Sequence, residues 1–492
     1  EHTLANGINI DYHYAYTRNH EDRPDEHNTD FTLKFDDFAS TSNLAGVEGM
    51  EFGGLIAPKD PLGFSFDQDE IQNLNLKDRD HVAVLNALLP FTGESVYGNV
   101  KFGFKGRFKD RISDHSGLIM EAGDEDFYLP GGVNTTEFPP KATDFRPEKE
   151  LVAYDQIADD PGEASVNYEA SEDVLAGYIQ SQIWFGNKLM ILPGIRVEKT
   201  STKNLAKEKT EADYTDFLPS FHLRYKVAEN SNLRFAISRA ISRPNYFDLV
   251  PYNYVDDDER LLGNPELDPV RATNLDLLFE HFDPRLAGIL SAGVFYKKLK
   301  NPVEFFESDP SANETNPDVG KVIQPKNAKG DGTIKGFEVA VQKSLEFMGL
   351  RGFGIVANYT FSDGTLKLDP ELGRDKTERR LTGQSKHLFN LALNYENPHI
   401  GFSGQIAWKF RSDQLEASGE GNADDPWEDD YSRVDLSINQ RVFGGITFFL
   451  EGRNLTDEPL RFFVNNPTTR TKQDLQVEYY GRSFLSGFKL NL

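Results

Sequence analysis

From Gly98 to Lys109 the chain changes character at every residue. Val100, Phe102, Phe104 and Phe108 fall on one parity, with Gly106 among them. Lys101, Lys105, Arg107 and Lys109 fall on the other, with Gly103 among them. A period of two puts successive side chains on opposite faces of a β-strand, so the aromatics share one face and the cations the other. A soluble sandwich also alternates, so one strand decides little. Here the pattern recurs to the C-terminus, and the connections alternate between short turns and long acidic loops. That combination describes an all-β chain, a transmembrane antiparallel up-and-down β-barrel, apolar towards lipid and polar towards the lumen.

Composition narrows the function. The 492 residues carry 79 acidic and 53 basic side chains, a net charge of −26. Such a chain offers no basic surface to neutralise phosphates, which excludes nucleic acid as a partner. Cysteine is absent, and with it thiolate nucleophiles and Cys-ligated zinc. No run approaches the roughly 20 apolar residues of a membrane-spanning helix. The ten His form no metal-ligand pattern beside carboxylates. The acidic runs Asp256-Asp257-Asp258-Glu259, Asp424-Asp425 and Glu428-Asp429-Asp430 lack the oxygen spacing and Gly of a calcium loop, and read as solvated loop. Nucleophile elbow, P-loop and paired-carboxylate motifs are missing, so neither an enzyme nor a cofactor is expected. The first residue is Glu1 and no signal peptide precedes the strands, so the chain reads as a mature or truncated piece.

The strands come in pairs. Ser432–Val442 and Ile446–Leu455 flank Phe443-Gly444-Gly445, a tight hairpin. Leu388–Tyr395 pairs with Gly401–Phe410, Ile334–Gln342 with Gly352–Phe361, and Asn274–Phe282 with Ile289–Val303. Phe217–Tyr225 pairs with Asn232–Ser242, Val174–Phe185 with Lys188–Glu198, and Val82–Leu89 with Val100–Phe108. Arg18–Asn28 reads as an outside loop between an ascending strand at Gly7–Tyr16 and a descending one at Phe31–Phe38. Parity then demands one more ascending strand, near Gly63–Ile71, for a total of about 18.

Several segments carry a likeness. They are Leu233–Leu249 (LRFAISRAISRPNYFDL), Gly263–Leu277 (GNPELDPVRATNLDL), Lys335-Gly336-Phe337-Glu338 leading to Asn358-Tyr359-Thr360, Asn454-Leu455-Thr456-Asp457-Glu458, and the tail Tyr480-Gly481-Arg482 with Gly487-Phe488. In this order and spacing the chain resembles the β-barrel of TonB-dependent receptors, over residues 1–492 and most closely from about Leu175 onward. The resemblance implies the cell outer membrane of a Gram-negative bacterium. It implies import of a scarce solute (siderophore, vitamin chelate or oligosaccharide) with energy from TonB. Family barrels have about 22 strands and a plug domain preceded by a TonB-binding segment. Neither plug nor segment is recognisable, so the sequence is expected to start inside the barrel, and TonB to act through a missing N-terminal segment. The family also ends in an aromatic residue, where this chain has Leu492.

Two rivals stay open: a complete passive channel, and a β-protein that binds a surface partner. In a complete barrel the strand near Gly7–Tyr16 pairs with Tyr480–Leu492; in a piece of a larger one those edges stand apart. Candidate ligand contacts are the loop aromatics Tyr246, Phe247, Tyr252 and Tyr254 after Arg243-Pro244, with Trp427 and Tyr431 at the end of an acidic loop. Rings beside carboxylates and amides stack on flat ligands; an interfacial girdle is the alternative. Arg196, Glu198, Glu338, Glu451 and Arg453 are expected on inward faces, paired in a wet lumen.

Overall fold

The computed structural model describes residues 1–4, 7–33, 64–121, 153–156, 167–204, 210–250, 253–256, 259–283, 288–308, 321–368, 378–416, 425–465 and 471–490. Their main sheet has nineteen strands. Three are short, at His2–Thr3, Ala153–Gln156 and Glu378–Arg380, which leaves sixteen long ones. These are β1 Asn9–Leu33, β2 Phe64–Thr92, β3 Val96–Glu121, β4 Tyr168–Phe185, β5 Leu189–Asn204 and β6 Thr210–Ala228. They continue with β7 Ser231–Ser242, β8 Val270–Asp283, β9 Gly288–Lys300, β10 Gly332–Ser344 and β11 Phe353–Lys367. The last are β12 His387–Asn397, β13 Phe402–Arg411, β14 Tyr431–Phe443, β15 Ile446–Arg453 and β16 Ser483–Leu490. Each pairs antiparallel with the next in chain order.

Parity sets the two faces. On β3, Phe102, Phe104, Phe108 and Ile112 are exposed on the outer face, with Asp110 among them. Leu175 and Ile179 on β4, Ile195 on β5 and Phe217 on β6 extend this apolar band round the wall. A sheet this apolar on its outside is stable in lipid and not in water. The short turns close as the glycines dictate: Gly186 and Gly444 sit at φ 57° and 53°, a left-handed conformation that costs other residues energy.

Buried apolar residues lie at the long-loop end. Tyr168, Ala170 and Val250 pack with Tyr246 and Leu261. Ala328, Leu366, Leu368 and Leu381 pack with Leu299 and Ile334. Two small four-stranded sheets sit beside them. One joins Asn253–Asp256, Glu259–Leu262, Lys321–Asn327 and Val303–Ser308. The other joins Gln414–Leu415, Pro426–Glu428, Leu460–Asn465 and Lys472–Glu478.

The N-terminal third corrects the sequence reading. Arg18–Asn28 is not a loop but the middle of β1, and no separate strand starts at Phe31. The stretch Gly63–Ile71 is not an ascending strand of its own: from Phe64 it belongs to β2, together with Val82–Leu89. Among the described residues the main sheet has nineteen strands, sixteen of them long, against the expected total of about 18. The reason is that a strand continuing past the membrane meets water on both faces, so its polar residues imitate a loop. Residues 34–38 of the expected descending strand lie outside the described residues. The two ends of the series, β1 and β16, are not paired with each other among the described residues: β1 pairs with β2 and His2–Thr3, and β16 with β15.

Candidate functional site

Odd positions of β3 face the lumen, and four successive ones are cationic: Lys105, Arg107, Lys109 and Arg111. Such a ladder is costly unless carboxylates face it. Neighbouring strands supply some. On β2, Asp78 accepts from Arg111 Nε and Nη2 at 2.7 and 2.8 Å, and Asp80 from Arg107 Nε and Nη2 at 2.9 and 2.8 Å. These bidentate pairs fix each guanidinium in place. On β4, Glu172 lies 3.7 Å from Arg107 and 3.9 Å from Arg243. On β5, Glu198 accepts from Arg196 at 2.5 Å and from Arg243 at 2.6 Å, while Arg243 also donates to the Thr200 hydroxyl at 2.9 Å.

Arg243 follows β7, where Pro244 stops the strand and a single helical turn, α1 Tyr246–Leu249, folds back over the wall. Tyr246 lands on the ladder. Its ring centre is 4.9 Å from the Lys109 ammonium and 5.6 Å from the Arg111 guanidinium carbon, a cation–π arrangement. Burial, with Glu172 nearby, pushes the phenol well above its ordinary pKa, so it stays a neutral donor. Its hydroxyl has no hydrogen-bond partner among the described residues. Burial also pushes the Asp248 carboxyl up, against hydrogen bonds to Asn245 that pull it down.

The wall and α1 enclose a cavity of about 590 Å³, within the size range of small-molecule sites. Its charge follows from the pairs above. Six cations face five carboxylates, Asp78, Asp80, Glu172, Glu198 and the lining Asp248; Lys105 and Lys109 have no carboxylate in ion-pair range among the described residues. In a chain of net charge −26 this is a local inversion of sign.

The loop aromatics divide. Tyr246 and Phe247 line the cavity. Tyr252 lies outside the described residues, and Tyr254 is placed by its backbone alone, opposite Leu261. Trp427 and Tyr431 do not line it. Trp427 belongs to the second small sheet, between Leu415 and Phe463, with the Arg380 guanidinium carbon 5.0 Å from its ring. Tyr431 opens β14, opposite Arg411. The sequence reading put Lys105, Arg107 and Lys109 on one face but did not name them as site residues. The signal was present: a four-cation inward face in an acidic chain.

Two of the family motifs, at Asn454 and Asn264, are strand-end joints, whereas residues 335–338 and 358–360 lie within β10 and β11. Asn454 sits at φ 53°, accepts from the Glu458 amide at 3.0 Å and donates to the Glu458 and Gly481 carbonyls at 3.1 and 3.2 Å. Asn264 accepts from the Glu266 amide at 3.0 Å and donates to the Pro325 carbonyl at 3.0 Å.

Comparison with known proteins agrees with this architecture. No curated protein matches by sequence. Among solved structures, the ferripyoverdine receptor of the outer membrane of Pseudomonas aeruginosa, bound to ferripyoverdine, superposes with a TM-score of 0.60 at 13% identity, over 99% of this chain and 54% of that one. The FpvAI–pyocin S2 complex gives 0.60 at 14%, over 99% and 53%. The ferric citrate transporter FecA in its unliganded form gives 0.57 at 12%, over 86% and 57%. The chain thus spans about half the length of the structures it matches. A sequence profile of the family described as TonB dependent receptor-like, beta-barrel, matches residues 2–455. With that match across an all-β wall that is apolar outside, the chain belongs to the TonB-dependent receptors, outer-membrane transporters of Gram-negative bacteria and not enzymes.

Proposed function

We propose that this protein imports a scarce, oxyanion-bearing solute across the outer membrane, with TonB supplying the energy. The observation that carries the reading is the cavity over the cationic ladder, where, among the described residues, Lys105 and Lys109 form no ion pair and the Tyr246 hydroxyl has no hydrogen-bond partner. Lysine ammoniums and a phenol in a half-enclosed site suit carboxylate, phosphate or an anionic metal chelate. Similar structures named as a ferripyoverdine receptor and a ferric citrate transporter favour the chelate. That β1 and β16 do not pair with each other among the described residues speaks against a complete passive channel, because lipid cannot satisfy unpaired backbone. We take the sixteen strands to be part of a larger barrel, with the TonB-coupling segment outside residues 1–492. Uptake by cells carrying the full-length protein tests this. It should stop when TonB is deleted or the proton-motive force is collapsed; equal uptake under both conditions would refute the proposal.

A further inference from the structure

The outside of the wall carries a second group of cations, on the first two long strands. Tyr16 faces His81, Arg18 faces Arg79 and His20 faces Lys77 across β1 and β2. The same rows continue to Phe108, Asp110 and Ile112 on β3, so all of these residues share the outer face. Arg79 lies between Asp78 and Asp80 in the chain, but parity turns those two into the lumen, where Arg111 and Arg107 hold them. Among the described residues Arg18, Lys77 and Arg79 have no carboxylate in ion-pair range. Asp110 borders the patch beside Arg79. Asp22, beyond His20, accepts from Asn75 at 3.4 Å. Like charges directly opposite each other, as Arg18 and Arg79 are, repel. An anion between them removes that cost.

Nearer the short turns the same face is aromatic and apolar. Tyr12, Tyr14 and Tyr16 are exposed along β1, with Leu85 on β2 beside them. The Tyr14 hydroxyl bonds His81 Nδ1 at 2.7 Å, and the Tyr16 ring centre lies 4.8 Å from that of His81. Tyrosine collects where hydrocarbon meets water. The spacing agrees: eleven residues, Phe91 to His81, separate the short-turn end of β2 from Arg79, and about 9–11 residues of tilted strand cross the hydrocarbon. The long loops of such barrels face outwards, so the cations stand at the surface of the outer leaflet. We propose that this patch holds a phosphate-bearing lipid headgroup of that leaflet. Cross-strand side chains start about 5 Å apart and alternate ones on a strand about 7 Å apart. Arg18, Arg79 and Lys77 therefore converge on one phosphate, which suits guanidinium forks, while acyl chains lie along Tyr12, Tyr14 and Leu85. A plug fills a lumen and a further strand pairs edge to edge with β1, so both leave this face to lipid.

The test is lipid binding to the delipidated full-length protein in maltoside micelles, read by native mass spectrometry. The probe is an acylated glucosamine disaccharide carrying two phosphate monoesters, compared with the same glycolipid after removal of its phosphates. The phosphorylated form should bind at least tenfold more tightly. A basic residue beside an anionic headgroup strengthens binding about fivefold. Arg79→Gln should weaken it by about that factor, and Arg18→Gln with Arg79→Gln by roughly thirtyfold. Lys203→Gln removes an outward cation on β5 that Glu211 already pairs at 3.4 Å, and should change it by less than about twofold. Heat-modifiable migration confirms that each variant is folded; if the arginine variants do not fold, the two glycolipids on the natural protein decide alone. Equal binding of both glycolipids, unchanged affinity in the folded double variant, an equal loss in Lys203→Gln, or displacement by millimolar inorganic phosphate would overturn the proposal. Solute uptake is not read, so this site and TonB-driven import stand or fall separately.

Discussion

Individual side chains on the cationic wall divide into those that hold it and those it can spend on a ligand. Arg107 and Arg111 are locked by Asp80 and Asp78, whereas Lys105 and Lys109 are not locked by any carboxylate among the described residues. Replacing both lysines with Gln should therefore weaken capture of an anionic solute by roughly tenfold or more, since a hydrogen bond to a charged group is worth about 1.5–3 kcal/mol. Thermal stability in micelles should hardly change. Arg107→Gln should do the reverse and lower stability, because Asp80 would be left half-buried and unpaired; isothermal titration and a melting curve on each variant separate the two outcomes. Asp248 gives a pH signature. Its pKa is raised by burial in the folded loop, so the docked state favours the protonated carboxyl. That contribution is present below the unfolded value of about 3.9 and fades as pH rises through the folded one. Hydrogen exchange of the α1 amides, corrected for intrinsic rate, should quicken across that window in the natural protein. Asp248→Asn should flatten the dependence.

At the level of strands and loops, the apolar–polar alternation was legible because lipid enforces it. Phe337 and Val339 on β10, Ile406 and Trp408 on β13 and Phe488 on β16 are exposed on the expected outer face, whereas Gln342 has the opposite parity and pairs with Ile289. An Arg near the bilayer midplane costs roughly 2–4 kcal/mol on the outer face. Val339→Arg should thus impair assembly, read as loss of heat-modifiable migration on a gel, while Gln342→Arg should assemble normally. What the pattern could not reveal was where a strand leaves lipid. Arg18–Asn28 is as polar as a loop, yet pairs with β2 through Asn28. Nor could it locate the ligand cavity. Tyr246 and Trp427 look alike as loop aromatics, and only the return of α1 over β3 and β4 separates them. The joint at Asn454 was readable from residue type alone, since Asn tolerates positive φ and bonds nearby backbone. Asn454→Ala removes both advantages. Hydrogen exchange near Gly481 and Glu458 should speed up by about tenfold, the value of one or two lost bonds.

For the molecule as a whole, the decisive relation is between the first and last strands. Residues at membrane level on β1 and β16 have free edges among the described residues, and a cysteine-free chain makes this easy to probe. Cysteines placed at Ala15 and Ser486 of the full-length protein should not cross-link under mild oxidation, because bridging demands Cα atoms within about 7 Å. Efficient cross-linking would mean that the series closes on itself and would restore the passive channel as a reading.

The first three strands have a further consequence. They run for 25, 29 and 26 residues, where about 10 cross a membrane. At roughly 3.3 Å per residue the excess on β2 is about 60 Å of strand standing in water. Charges interact in physiological salt over only about 8 Å. The far tip of this ribbon is therefore electrically deaf to the lysines of the lumen. Whatever first meets the protein there meets a surface whose preferences are set without reference to the solute it admits.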